Sequence, residues 1–182
     1  MGVDYAQTEV MPGLSFDGYS NVMLWQMAPT LAWQVDDRLT LGASLNINYQ
    51  SVAFKQRFIN ALGDVENNFD LSRSSSAFGI GASFGLLFDV NDRLTLGAAY
   101  KSKQVFGDHA YNLAQGDIDM SMMGGGPLPA GTYKLGLDFP QQLALGLAYR
   151  AIPAVTVSAD VKWINWSDTM DKLAVTGPGG IS

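Results

Sequence analysis

Apolar and polar residues alternate one for one along much of the chain, most clearly from Leu39 to Gln50. Leu39, Leu41, Ala43, Leu45, Ile47 and Tyr49 share one parity, and Thr40, Gly42, Ser44, Asn46, Asn48 and Gln50 share the other. A period of two marks a strand with one apolar face, because successive side chains point to opposite sides of a sheet. The alternation returns from Ser83 to Tyr100, interrupted only at Asn91-Asp92-Arg93, and this reads as a hairpin with a tight turn. The hairpin repeats. Leu31 to Ala43 matches Leu86 to Ala98, and Leu145 to Ala159 is a looser third copy.

The pattern predicts six strands, at 20–35, 39–50, 76–90, 94–106, 142–150 and 155–166. Pro29 falls inside the first, where it cannot donate to a ladder. Residues 1–19 read as loop, with turn signals at Pro12-Gly13 and Asp17-Gly18. Two long connections are expected, about 55–74 with one helical turn at 58–62, and 107–138. Residues from Gly177 onward read as loop. Short turns on one edge and long connections on the other are the plan of an antiparallel up-and-down transmembrane β-barrel.

The polar parity supports this reading. A soluble sandwich would favour Lys and Glu on its outer face, whereas Asn, Gln, Ser and Gly suit a crowded, hydrated interior. Leu41, Leu45, Ile47, Phe84, Leu86, Leu96, Leu143, Leu147 and Val157 are therefore expected to face outward. Asn46, Asn48, Gln50, Ser83, Asp160 and Lys162 are expected to line the lumen. Tyr49, Tyr100, Tyr149, Trp33 and Trp163 lie toward strand ends, as interfacial aromatics do.

Composition narrows the choice. The hydrophobic fraction is 47% and the charged fraction 15%, which argues against disorder. The net charge of −6, with no Lys/Arg cluster, argues against nucleic acid. With no cysteine there is neither a disulfide nor a thiolate metal site. No apolar run approaches the roughly 18 residues of a spanning helix. Residues 1–5 lack the basic and apolar segments of a secretory leader. Eight strands are the usual minimum for a closed barrel. Residues 1–182 are accordingly expected to be one partial barrel domain, about six strands from the interior of a longer protein.

No chemistry-bearing motif survives inspection. Gly79, Gly81 and Gly85 share one strand parity and open no helix, so a dinucleotide site is not expected. His109 beside Asp108 offers too few ligands for zinc. No nucleophile elbow is present. The expectation is a protein that is not an enzyme and carries no metal or cofactor. Met120, Met122, Met123 and Leu128 form a candidate apolar capture surface, since Met side chains adapt to varied shapes; the alternative is a loop packed on its neighbours. Asp160 and Lys162 read either as a charge pair or as a solvated lumen wall. The function classes left open are a transporter for hydrophobic molecules and a non-specific porin or structural barrel.

Four stretches resemble a known family: Ala28 to Ala43, Leu94 to Lys103, Asp138 to Tyr149, and Ala159 to Asp168. They look like hairpins of the FadL-type long-chain fatty-acid transporters, in the same order, over most of residues 20–170. The resemblance implies a monomeric 14-stranded barrel of the bacterial outer membrane, plugged by an N-terminal hatch. It implies diffusive uptake of long-chain fatty acids or other hydrophobic small molecules, through loop-borne apolar sites and a lateral opening. The lipid bilayer and the substrate would be its partners. The hatch and the remaining strands are expected to be absent from residues 1–182.

Overall fold

The computed structural model describes residues 2–121, 124–170 and 175–178. Seven stretches form the main ladder: β1 (Gly2–Met11), β2 (Leu14–Met27), β4 (Leu39–Asn60), β5 (Val65–Asn91), β6 (Leu94–Lys101), β11 (Gln142–Ile152) and β12 (Val155–Ile164). They pair antiparallel in that order and curl into a half-barrel. β3 (Thr30–Gln34) adds to β4, while β7 (Val105–Phe106) and β9 (Ile118–Asp119) add to β5. A second sheet joins β8 (His109–Leu113), β10 (Gly131–Leu135) and β13 (Val175–Thr176), and α1 (Ser167–Met170) follows β12.

The register turns the alternation into rows that cross the sheet. One runs Trp33, Leu41, Leu86, Ala98, Leu145, Val161, each residue opposite the next. The adjacent row of the other parity runs Ala32, Gly42, Gly85, Ala99, Ala144, Lys162. Large apolar side chains in the first kind of row are exposed, Leu86 by 40% and Val161 by 74%, whereas Asn46 and Asn48 are each 2% exposed. A sheet that shows its apolar face and buries its amides is built for a solvent other than water.

The repeat extends to turn chemistry. Asp36 Oδ1 accepts from Arg38 N and Leu39 N at 2.8 Å each. Asn91 Oδ1, at the equivalent place, accepts from Arg93 N and Leu94 N at 2.9 and 3.1 Å. Such side chains mimic a backbone turn partner and close the hairpin tightly.

Several expectations need correction. The stretch expected as loop over 1–19 is strand from Gly2 to Met11 and again from Leu14. β1 and β2 form a hairpin about Pro12-Gly13, with Gly13 at φ 80°, and its register shifts between Tyr5 and Thr8 and between Glu9 and Met11 erase the period of two. The first predicted strand is interrupted at Ala28-Pro29, yet its register continues, Met27 facing Ile47 and Thr30 facing Ser44. Leu45 N donates to Pro29 O (3.2 Å), and proline has no N–H to return the second bond.

The connection expected at 55–74 is instead the far half of the β4–β5 hairpin, and no helical turn occurs at 58–62. The spacing of Phe58, Ile59 and Leu62 imitates a helix. Cross-strand contacts override it: Phe54 packs on Phe69 and Phe16 on Phe58, with ring centroids 5.8 and 5.4 Å apart. Lys55 pairs with Asp17 at 2.8 Å and Arg57 with Asp70 at 3.5 Å. Asn60 Oδ1 accepts from Leu62 N and Asp64 N, both at 2.9 Å, and Gly63 takes φ 87° to close the tip.

The strand expected over 94–106 ends at Lys101. The connection at 107–138 is largely ordered, and it holds β8, β9 and β10. It supplies most of the apolar core, in which Tyr111, Leu113, Ile118, Tyr133 and Leu135 are buried together with Leu71 of β5. The core thus sits beyond the half-barrel, on the side away from the short turns.

Candidate functional site

Three inward side chains of β4 form a row of hydrogen bonds, the first to the neighbouring wall strand β5, the second to the segment after β6 and the third to the outer sheet. Asn46 Nδ2 donates to Ser83 Oγ at 2.8 Å, and Asn48 Nδ2 donates to Gln104 Oε1 at 2.9 Å. Gln50, fully buried, faces His109 Nε2 at 3.1 Å. Gln104 donates in turn to Ser102 O (2.7 Å), and its backbone exchanges two hydrogen bonds with Phe139 (2.9 and 3.0 Å). Tyr111 Oη donates to Val52 O at 3.0 Å, and burial pushes its phenol up to about 12, which keeps that proton in place. These bonds explain the glycines. A Cβ on Gly79 would lie 2.6 Å from the ring of Phe106, and one on Gly81 would overlap the Gln104 amide. Glycine at both positions lets residues 104–106 lie flat on β5.

His109 is a β8 residue with no exposed surface, held between β4 and β5. Its Nδ1–H donates to the Ser75 carbonyl at 3.2 Å. A neutral ring then needs a donor at Nε2, and a half-turn of the Gln50 amide supplies one while giving Gln50 Nε2 the partner it otherwise lacks. Burial pushes the imidazole pKa down, outweighing the upward pull of the Ser75 carbonyl and Asp108. Asp108 is itself 3.8 Å from Lys134 on β10. A folded value below the unfolded one makes docking fully stable above about pH 6.5 and weaker as pH falls. Amide exchange in residues 109–113, corrected for intrinsic rates, should therefore speed up between pH 7.5 and 5.5. A His109→Gln variant should lose that dependence.

The candidate capture residues divide. Met120 and Leu128 are half-buried against the outer core, with Leu128 N donating to Ile118 O at 2.8 Å. Met122 and Met123 lie outside the described residues. Asp160 and Lys162 are exposed on β12, opposite Gly146 and Ala144, and form no ion pair among the described residues. A trough of about 490 Å³ runs over Gly42, Gly85, Gly97, Ala99 and Ala144, with Leu87, Thr40 and Asp160 also in its lining. Gln104 stood inside the strand expected over 94–106, which ends at Lys101, and His109 in the connection after it, where its sequence neighbours suggested only a zinc ligand. The one signal was the pair Gly79 and Gly81, on the parity that faces them.

The family model described as outer membrane protein transport protein (OMPP1/FadL/TodX) matches residues 1–180. The chain belongs to this family. Its members are outer-membrane proteins, and the half-barrel is a fragment of the family's β-barrel. The Pseudomonas putida toluene transporter TodX is similar at 25% identity and TM-score 0.72, covering 97% of this chain and 51% of that one. The Ralstonia pickettii toluene transporter TbuX shares the fold at 22% identity and TM-score 0.75, covering 99% and 52%. A Pseudomonas aeruginosa FadL homologue does so at 18% identity and TM-score 0.62, covering 94% and 49%. The chain spans about half the length of these family members. No curated protein matches it.

Proposed function

We propose that this chain is part of a channel for diffusive uptake of hydrophobic small molecules across the outer membrane. The proposed substrates are long-chain fatty acids or, as for the toluene transporters it resembles, aromatic hydrocarbons. The observation that carries this reading is the inner-parity trough, whose lining is apolar apart from Thr40 and Asp160 and so offers a molecule little polar surface to desolvate. A non-specific porin needs a wide polar passage with charged constriction residues instead. On this reading Met120, Met122, Met123 and Leu128 make first contact with substrate at the outer end, and Gly124 to Gly126 let the segment reshape around it.

Burying one Met side chain against an alkyl chain contributes roughly 1.5–3 kcal/mol at most. Replacing Met120, Met122 and Met123 together by Ser should weaken binding of a fluorescent fatty acid by at least about tenfold, which requires only about 1.4 kcal/mol. The assay uses protein purified from outer membranes, with heat-modifiable gel migration as the control for folding. Unchanged affinity in a folded triple variant would reduce the segment to a cover. Ion conductance with no saturable hydrophobic ligand would favour the porin.

A further inference from the structure

The outward face of β2, β4 and β5 changes chemistry in bands from the short turns toward the hairpin tip. The apolar belt ends in the row Trp25, Tyr49, Phe78, where the Tyr49 and Phe78 rings meet edge to face at 5.3 Å. Charged residues stand farther out on the same face, with Lys55 paired to Asp17 and Arg57 to Asp70. Between these bands lies a groove of about 320 Å³, lined chiefly by Tyr19, Asn21, Ser51, Ser72 and Ser74, with Met23 at its apolar lip.

A bulge makes the groove. Val52 faces Ser75 and Phe54 faces Leu71, so Ala53 alone opposes Ser72, Arg73 and Ser74. Extra residues in one strand bend it and re-aim its side chains. Here Ser72 and Ser74 are turned to the outward face. Arg73 points away to pair with Asp117 at 2.6 Å, and Ala53 is buried as the floor. The hydroxyls of Ser51, Ser72 and Ser74 make no hydrogen bond among the described residues.

We propose that this groove binds the sugar headgroup of an outer-leaflet glycolipid, whose acyl chains continue down over Met23 and Trp25. The long-connection end of such a barrel faces the cell exterior, and the groove is continuous with the lipid-facing belt. Its lining is uncharged and hydroxyl-rich, which suits sugar hydroxyls. The nearest outward cations are already held by carboxylates, so the groove has little to offer the bare phosphate of a phospholipid.

The test is native mass spectrometry of protein purified from outer membranes, stripped of lipid and offered lipopolysaccharide or phosphatidylglycerol. Wild type should retain lipopolysaccharide over phosphatidylglycerol by at least about tenfold. A Ser72→Val/Ser74→Val variant should lose most of that preference, and so should Asn21→Leu, which leaves the bulge untouched. Heat-modifiable migration verifies folding in each. Equal retention of the two lipids by wild type, or an undiminished preference in either folded variant, would overturn the proposal.

Discussion

Replacing Leu71 by alanine should release the outer sheet from the wall while the half-barrel itself stays intact. Leu71 is 1% exposed, and it is the β5 residue around which Tyr111, Leu113, Ile118, Tyr133 and Leu135 assemble. Removing a buried leucine side chain costs about 2–5 kcal/mol, as lost transfer energy plus a cavity. The buried residues that meet it lie on β8, β9 and β10, none of which belongs to the seven-stranded main ladder. Limited proteolysis should therefore cut within 107–135 well before any strand is lost, and exchange protection should fall there first. Protection lost equally across β6 and β11 would mean that wall and outer sheet fold as one unit.

Leu86→Arg should have a comparable effect at the opposite kind of position. Leu86 stands mid-row, between Leu41 and Ala98, on the face whose apolar side chains are exposed. Arginine at the midplane of a barrel's lipid face costs about 2–4 kcal/mol. The loss should appear as a lower urea midpoint in lipid vesicles with an unchanged slope. Gly85→Ser, one residue away on the other parity, should cost far less. The contrast between neighbours is the informative result, because a slip of one residue exchanges the two faces. Equal sensitivity at both positions would remove the assignment of lipid and lumen.

The wall was readable because lipid imposes strict alternation wherever it touches a strand. Leu39 to Gln50, Ser83 to Tyr100 and Gln142 to Trp163 show it, and there the predicted and observed strands agree closely. Beyond the bilayer the same strands meet water on one side and protein on the other, and the rule lapses. Phe54 and Phe69 are found by their cross-strand partners, which no local pattern announces. β1 hides behind two register shifts. His109 illustrates the limit for the site, since its environment comes from Gln50 and Ser75, each far away in sequence. The glycines were visible, but their reason was not. Gly79 and Gly81 are small because Phe106 and Gln104 return to lie on them.

The length of β5 has a consequence for how a cell's surroundings meet this molecule. About 9–11 residues suffice to cross the membrane, whereas β5 has 27. The part before Phe78 adds roughly 40 Å of strand at about 3.3 Å per residue. The β4–β5 hairpin is thus a mast, capped by Leu62 at 87% exposure. Antibodies, phage tail fibres and proteases approaching from outside would meet that cap before they reached the lipid. The same hairpin carries Gln50 and Ser75 at its foot, so whatever seizes the mast pulls directly on the hydrogen bonds that hold the outer sheet shut.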